Sequence, residues 1–189
     1  MNIAIPFPLI FFNQIRNKLF YPASRVSPVD DTLKQEATQL MDSYGNSILR
    51  LAYSYMHNFY DSEEILQETL LRYLQTAPTF ENDHHKKAWL LHVAANLCKN
   101  KLSYNKIRNA DELEEDLIAN EREDLTFVWD AVKKLSNKYR EVIHLYYYEG
   151  YQTSEIAQIL HRNESTIRSG LRRGREQLKA ILKEDYDFE

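Results

Sequence analysis

The scarcity of backbone breakers constrains this chain more than any other feature. It holds only four glycines and five prolines, and Pro6, Pro8 and Pro22 all fall before residue 25. A chain so poor in turn residues favours long helices over many short strands. Leu40, Tyr44, Ile48, Leu51 and Tyr55 recur at steps of three and four, which predicts one apolar stripe on a helix over residues 32–57. Asn58 to Asp61 interrupts the pattern. Asp61, with Glu64 three residues on, reads as the N-cap and capping-box partner of a helix over 62–75. That helix turns Ile65, Leu66, Thr69, Leu70 and Tyr73 inward and Glu64, Gln67, Glu68, Leu71 and Arg72 outward. Residues 77–86, with Pro78 and Asn82-Asp83, read as a loop. A helix over 87–102 follows, with Trp89, Leu90, Val93, Leu97 and Leu102 as its apolar side.

Residues 104–124 lose apolar periodicity and gain charge, as a linker does. Beyond them, 125–135 and 137–150 read as helices, the second ended by Gly150 at a C′ position. Thr153 or Ser154 caps a third helix and Ser165 starts a fourth. Leu145 to Tyr148 has strand propensity but lies within the helical spacing of Val142, Leu145 and Tyr146. The expected fold is all-α: two small helical domains joined by a charged linker. The boundaries are an extension over 1–30, a first domain over 31–104, an acidic linker over 105–124, a second domain over 125–183 and an acidic tail over 184–189.

The formal charge of −4 argues against a nucleic-acid binder until its distribution is considered. Residues 111–124 set Asp111, Glu112, Glu114, Glu115, Asp116, Glu121, Glu123 and Asp124 against Arg122, and the tail adds more acids. Residues 161–183 are the reverse, with Arg162, Arg168, Arg172, Arg173, Arg175, Lys179 and Lys183 against Glu164 and Glu176. There Ile156, Ala157, Ile159 and Leu160 face one way on the third helix, and Ile167, Leu171, Leu178 and Ile181 on the fourth. The three-residue turn 161–163 is short enough for a helix-turn-helix. Its second helix would present Ser165, Thr166, Arg168, Ser169, Arg172, Arg173 and Arg175 to a major groove. Arginine can donate two bonds to guanine, and hydroxyls suit phosphates. Gly170 and Gly174 read as positions of close helix approach, each costing about 1 kcal/mol of helix stability relative to alanine. A solvated arginine face is the plain alternative.

Several classes are disfavoured. Pro6, Pro8, Asn13 and Arg16 interrupt the apolar start well short of a membrane span, and no basic n-region or cleavage site marks a signal peptide. Cys98 is alone, so neither a disulfide framework nor a CxxC site is available, and a reducing, cytoplasmic compartment fits. His57, His84, His85, His92, His144 and His161 have no catalytic spacing. Asp83-His84-His85 offers too few converging ligands for a metal. No catalytic residue, metal, cofactor or small-molecule substrate is expected.

Four blocks, in order, make the chain resemble a bacterial RNA polymerase sigma factor of the extracytoplasmic-function (ECF) group. They are DSEEILQETLLRYL (61–74), KAWLLHVAANLCKNKL (87–102), LSNKYREVIHLYYYEGYQTSEIAQIL (135–160) and STIRSGLRRGREQLK (165–179). The resemblance runs from about residue 38 to 182. It implies that the first domain binds the polymerase clamp and melts the −10 element, while the second reads the −35 element and meets the flap of the second-largest subunit. Asp61, Glu64, Gln67, Glu68 and Arg72 would face polymerase. Phe80, Asn82, His84, His85, His92, Asn96, Lys99 and Asn100 would hold the −10 strand, by stacking on and bonding to unpaired bases. The partners implied are core polymerase, promoter DNA and a membrane-bound anti-sigma factor that could hold the protein at the membrane. The acidic linker would occupy a basic channel until RNA displaces it.

The sequence departs from the family pattern in places. His92 and Ala95 stand where the −10 helix usually carries arginines, which shifts cationic contact to Lys99, Lys101 and Lys106. His161 replaces a turn glycine, Arg162 an apolar residue, Gly170 an arginine and Gly174 an alanine. Trp89 and Asn96 match, and Trp89 is expected mainly in the core. Two competing readings are a helix-turn-helix regulator acting without polymerase, and an interaction protein that has lost promoter activity.

Overall fold

The computed structural model describes residues 31–108 and 126–185, and within them every regular element is helical. The extension over 1–30, most of the acidic linker and the last four residues lie outside the described residues. The helices are α1 (Asp31–Met56), α2 (Phe59–Thr76), α3 (Asp83–Arg108), α4 (Thr126–Lys133), α5 (Asn137–Ile143), α6 (Thr153–Leu160) and α7 (Glu164–Asp185). A single π-helical turn, His144–Tyr148, continues α5.

The expected stripe of α1 is in place: Leu40, Ile48, Leu51 and Tyr55 are buried, and half-buried Tyr44 donates its hydroxyl to Asp83 Oδ1 at 3.2 Å. All five residues expected inward on α2 are buried. Its start differs from expectation. Asn58, in extended backbone, is the N-cap and accepts from the Asp61 backbone N–H at 3.2 Å, so the helix begins at Phe59. An amide oxygen on the linker serves where the Asp61 carboxylate was expected. Ala77 closes α2 in the left-handed region, its N–H bonded to Tyr73 O.

The loop expected over 77–86 is shorter. Asn82 accepts from the His85 N–H at 2.9 Å and starts α3 at Asp83, so His84 and His85 sit in a helical first turn. The helix then continues to Arg108, past the expected end at 102. Leu90, Leu91, Val93, Ala94, Ala95, Leu97 and Cys98 are all buried. A helix apolar nearly all round is covered on more than one side: α1 and α2 pack on α3 from within the first unit, and α6 packs on it from the second.

In the second unit α4, α5 and α6 all pack on α7. The end of α4 leaves carbonyls without helical partners, and the guanidinium of Arg140 gathers them. It donates to Val132 O at 3.2 Å, Leu135 O at 2.5 Å and Lys133 O. Gly150, at φ +79°, makes the turn after the π segment, where a side chain would be strained. The cap of α6 is Gln152, paired reciprocally with Glu155, and not Thr153 or Ser154. Thr153 is instead tied to α7, its hydroxyl donating to Glu164 Oε1 at 2.6 Å. Helix α7 begins at Glu164, one residue before the expected start.

The two units form one packed body, with α5 also lying against α1.

Candidate nucleic-acid interface

Helix α7 separates its residues by face. Ile167, Leu171 and Gly174 pack inward, while Ser165, Thr166, Arg168, Arg172, Arg173 and Arg175 are exposed and Ser169 is half-buried. Two arginines are held along the helix: Arg168 Nη2 lies 2.8 Å from Glu164 Oε1, and Arg172 Nη1 lies 3.0 Å from Glu176 Oε1. Such exposed pairs contribute little to stability, about 0.3–0.5 kcal/mol each, so DNA phosphates can displace them. Arg173 and Lys138 lie beside the Tyr139 hydroxyl and hold its pKa below the ordinary value. The glycines do not belong to this face. A Cβ on Gly174 would stand 3.2 Å from Ile143 Cγ1, and one on Gly170 3.8 Å from Val142 Cγ2. Both look towards α5, so the close approach at these positions is to a neighbouring helix of the same unit. The turn residue His161 sits at φ 50°, the conformation that favours a glycine.

The residues expected at a −10 strand divide into three groups. Phe80 stacks on Tyr73 at 6.3 Å and meets Trp89 edge-on at 5.9 Å, forming an aromatic cluster that includes the Trp89 expected in the core. Asn82, His85 and Asn100 are exposed, Asn82 also capping α3. The third group meets the second unit. His84 Nε2 is 2.7 Å from Glu155 Oε1. His92 Nδ1 is 2.5 Å from Ile159 O, which places a proton on Nδ1, and Nε2 then accepts from Asn96 Nδ2 at 2.9 Å. Lys99 Nζ is 3.3 Å from Glu141 Oε2.

Around these lies a network that sequence reasoning missed. Glu141, 1% exposed at its side chain, takes Arg162 Nη1 at 2.5 Å as well as Lys99, and the Tyr55 hydroxyl donates to it. Burial, followed by the Glu141 charge, pushes the Tyr55 hydroxyl well above its ordinary pKa. Arg140 reaches across to Ser54 O at 2.6 Å and to His57, and burial brings its pKa down to about 10. Lys87 Nζ lies 2.7 Å from Glu149 Oε2. Burial would raise the Glu149 carboxyl, but His144 and Lys87 more than offset it and hold it at about 2. Arg50 stacks over the Tyr148 ring at 4.6 Å. The pairs of this network lie far apart in sequence, as Tyr55 and Lys99 do from Glu141.

On α2, Asp61 and Glu64 are bound to Lys101 of α3 at 2.7 and 2.6 Å. Burial alone would lower the Lys101 pKa, but these carboxylates raise it above the ordinary value. Lys101 is thereby committed to α2 and is not the spare strand-binding cation expected. Glu68 pairs with Arg72 at 3.0 Å, and Gln67 is half-buried. Leu71 and Tyr60 add exposed apolar surface to this helix. The side chain of Lys106 lies outside the described residues.

Among the described residues no cluster of metal-ligating side chains occurs, and no helix is long and apolar enough to cross a membrane. Burial pushes the Cys98 thiol up to about 12.

Comparison with known proteins agrees in both halves. Residues 40–107 match the model of sigma-70 region 2, and residues 128–178 match that of sigma-70, region 4. The ECF RNA polymerase sigma factor SigW of Bacillus subtilis is 25% identical over 180 residues, covering 85% of this chain and 96% of the relative. The RNA polymerase sigma factor SigV of the same organism is 27% identical, covering 82% and 96%. Among solved structures, the sigma factor RpoE in complex with the anti-sigma factor NepR from Bartonella quintana shares the fold. Its TM-score is 0.66 at 22% identity, covering 79% of this chain and 98% of that one. CnrH in complex with the cytosolic domain of CnrY does so at a TM-score of 0.58 and 19% identity, covering 93% and 97%. Two sigma-70 regions in this order, on an all-helical fold, show that the chain belongs to the sigma-70 family as a promoter-recognising sigma factor of the ECF group.

Proposed function

We propose that the two regions divide the promoter between them, region 4 reading the −35 duplex through α7 and region 2 holding the melted −10 strand along α3. The observation that carries this reading is the separation of faces on α7. Arg168, Arg172 and Arg175 are exposed away from the side that packs on α5 and α6, Arg173 is exposed at its edge beside Tyr139, and Ser165 and Thr166 lie at the N-terminal end that would enter a groove. Arginine contacts to base edges would set the sequence, and the hydroxyls and Arg175 would set the register on phosphates. In region 2, Asn82, His85, Asn96 and Asn100 offer exposed donors and acceptors for unpaired bases.

Core polymerase is the required partner. Its clamp would meet the α2 face that carries Asp61, Glu64, Gln67, Glu68 and Arg72, and its flap would meet region 4. The exposed Leu71 within that face supports a protein contact, since apolar area amid charges is what an interface core needs. An anti-sigma factor is a further partner, in keeping with the complexes in which both similar structures were solved. A regulator acting without polymerase has no use for a region 2 and is not favoured.

The deciding experiment adds the pure protein to bacterial core polymerase and sequences the transcripts made from genomic DNA. Defined start sites sharing an upstream two-part motif are expected. Tight stand-alone promoter binding without transcripts would overturn the reading.

A further inference from the structure

At the start of α7, Glu164 Oε1 accepts from the Thr153 hydroxyl of α6 at 2.6 Å, from Arg168 Nε at 3.1 Å and from Arg168 Nη2 at 2.8 Å. The carboxylate is thus fixed by the first helix of the helix-turn-helix and holds an arginine of the second. It engages the guanidinium side-on. A guanidinium carries its N–H donors in a planar fork, so the outer edge, with one N–H on each of Nη1 and Nη2, is left unused by Glu164. The Arg168 side chain is 69% exposed, and that edge is open to a ligand. Two parallel donors of this kind are what a guanine accepts through O6 and N7. The bonds from Thr153 and Arg168 also hold the Glu164 pKa below its ordinary value, so the acid stays charged near neutral pH. Arg172 is held less closely, with Nη1 bonded to Glu176 Oε1 at 3.0 Å. A carboxylate on a face that meets DNA repels phosphate, and the geometry around Glu164 gives it a use there.

We propose that Glu164 is a positioning residue for base readout: it aims the free edge of the Arg168 guanidinium at one G·C pair of the −35 duplex, and Thr153 fixes the carboxylate that does so. The inference rests on the reading of α7 given above and narrows it to one arginine and one base. The ion pair does not have to be strong for this role. On duplex without that guanine, phosphate can draw Arg168 off Glu164, and the arginine then adds affinity without sequence. With the guanine in place, Arg168 keeps its acid and gains two bonds to the base edge. Orienting a long side chain before contact also reduces the freedom lost on binding. Glu164, an offset to the arginines in the charge count, thereby becomes part of what selects the sequence. Thr153 couples the two helices, since its hydroxyl is committed to Glu164 and not to a phosphate.

The test uses the full chain assembled with bacterial core polymerase. A promoter identified by its transcripts, with the −35 segment randomised, is transcribed, and sequencing of the products reports base preference at each position. The parent should select one guanine, on either strand, that Arg168→Ala no longer selects. Glu164→Gln, which keeps the shape and removes the charge, should weaken selection of that same guanine by about five-fold or more, the lower end of what a bidentate arginine–guanine pair discriminates. Glu164→Ala should do at least as much, and both should leave the other positions unchanged. Thr153→Val should lose part of the same preference, and Thr153→Ser, which keeps the hydroxyl, should restore it. Glu176→Gln should leave that guanine selected. A fold defect weakens every position together, so a loss confined to one position reads positioning alone. Loss of the guanine in Arg168→Ala but not in the Glu164 variants overturns the proposal and leaves the −35 reading in place. So does an Arg168→Ala profile equal to the parent's, or a uniform weakening by the Glu164 variants. A parent profile with no preferred base at any position overturns the −35 reading, and the proposal with it.

Discussion

Gly170 and Gly174 lie one turn apart on α7, and the structure predicts opposite responses to the same substitution. A glycine-to-alanine change inside a helix stabilises by about 0.8–1.0 kcal/mol when the methyl group has room. At Gly170 the new methyl would meet only Val142 Cγ2, at 3.8 Å, an ordinary contact. Gly170→Ala should therefore gain about 1 kcal/mol and raise the melting temperature by about 2–4 °C for a chain of this size. At Gly174 the methyl would stand 3.2 Å from Ile143 Cγ1, 3.4 Å from Ile143 Cδ1 and 3.4 Å from Tyr139 Cβ. Overpacking of this kind costs about 1–3 kcal/mol, which cancels or exceeds the propensity gain. Gly174→Ala should leave stability unchanged or lower it by up to about 2 kcal/mol. Urea titration is the assay, read as a change in midpoint at constant slope, with thermal melting as a second measure. Equal stabilisation by both changes would refute the packing argument. Binding of a −35 duplex by Gly170→Ala should match the parent chain, because the glycine faces Val142; a loss would return Gly170 to the DNA side.

Arg140→Ala should lower stability by about 3 kcal/mol, since the carbonyls of Val132, Lys133, Leu135 and Ser54 lose a common donor. Arg140→Lys should not restore it, because an ammonium cannot reproduce the planar fork; full recovery in a urea titration would count against the geometry. His161→Gly should stabilise by about 0.5–1 kcal/mol by relieving a left-handed residue, and a lower melting temperature would contradict this. The Glu149 carboxyl lies below its ordinary 4.5, at about 2. A depressed carboxyl contributes stability above its unfolded pKa and loses it as pH falls through the folded value. About 3 kcal/mol should therefore disappear between pH 4.5 and 2, and Glu149→Gln should flatten that part of the stability profile. Reversing Glu64 and Glu68 to lysine should abolish binding to core polymerase while circular dichroism stays helical; retained binding would remove α2 from that interface.

The helices were legible because their apolar stripes are regular, and the inward set of α2 could be named residue by residue. Caps were less so. Asn58, Asn82 and Gln152 do the work expected of Asp61, of a longer loop and of Thr153 or Ser154. Several side chains at each boundary can cap, and only the path of the backbone chooses among them. The arginine face of α7 was legible because charge segregates on it. The seam between the regions was not, because its pairs lie far apart in sequence, as Tyr55 and Lys99 do from Glu141. Ala95 shows the limit well. It reads as a missing cation beside its relatives, yet it is buried, so a charged side chain there would have no water.

The net negative charge can now be understood at the level of sites. Glu141, Glu149 and Glu155 carry part of it, and each is engaged by a cation or histidine of region 2. An acidic chain can bind DNA if its acids are internal partners for its own bases, because each carboxylate removed from solvent no longer repels phosphate at the outer surface. The same pairing ties His84, Lys87 and Lys99 of α3 to the second unit. On α7 the acids play a milder version of this part: Glu164 and Glu176 hold Arg168 and Arg172 along the helix through exposed pairs, which phosphate can replace at little cost.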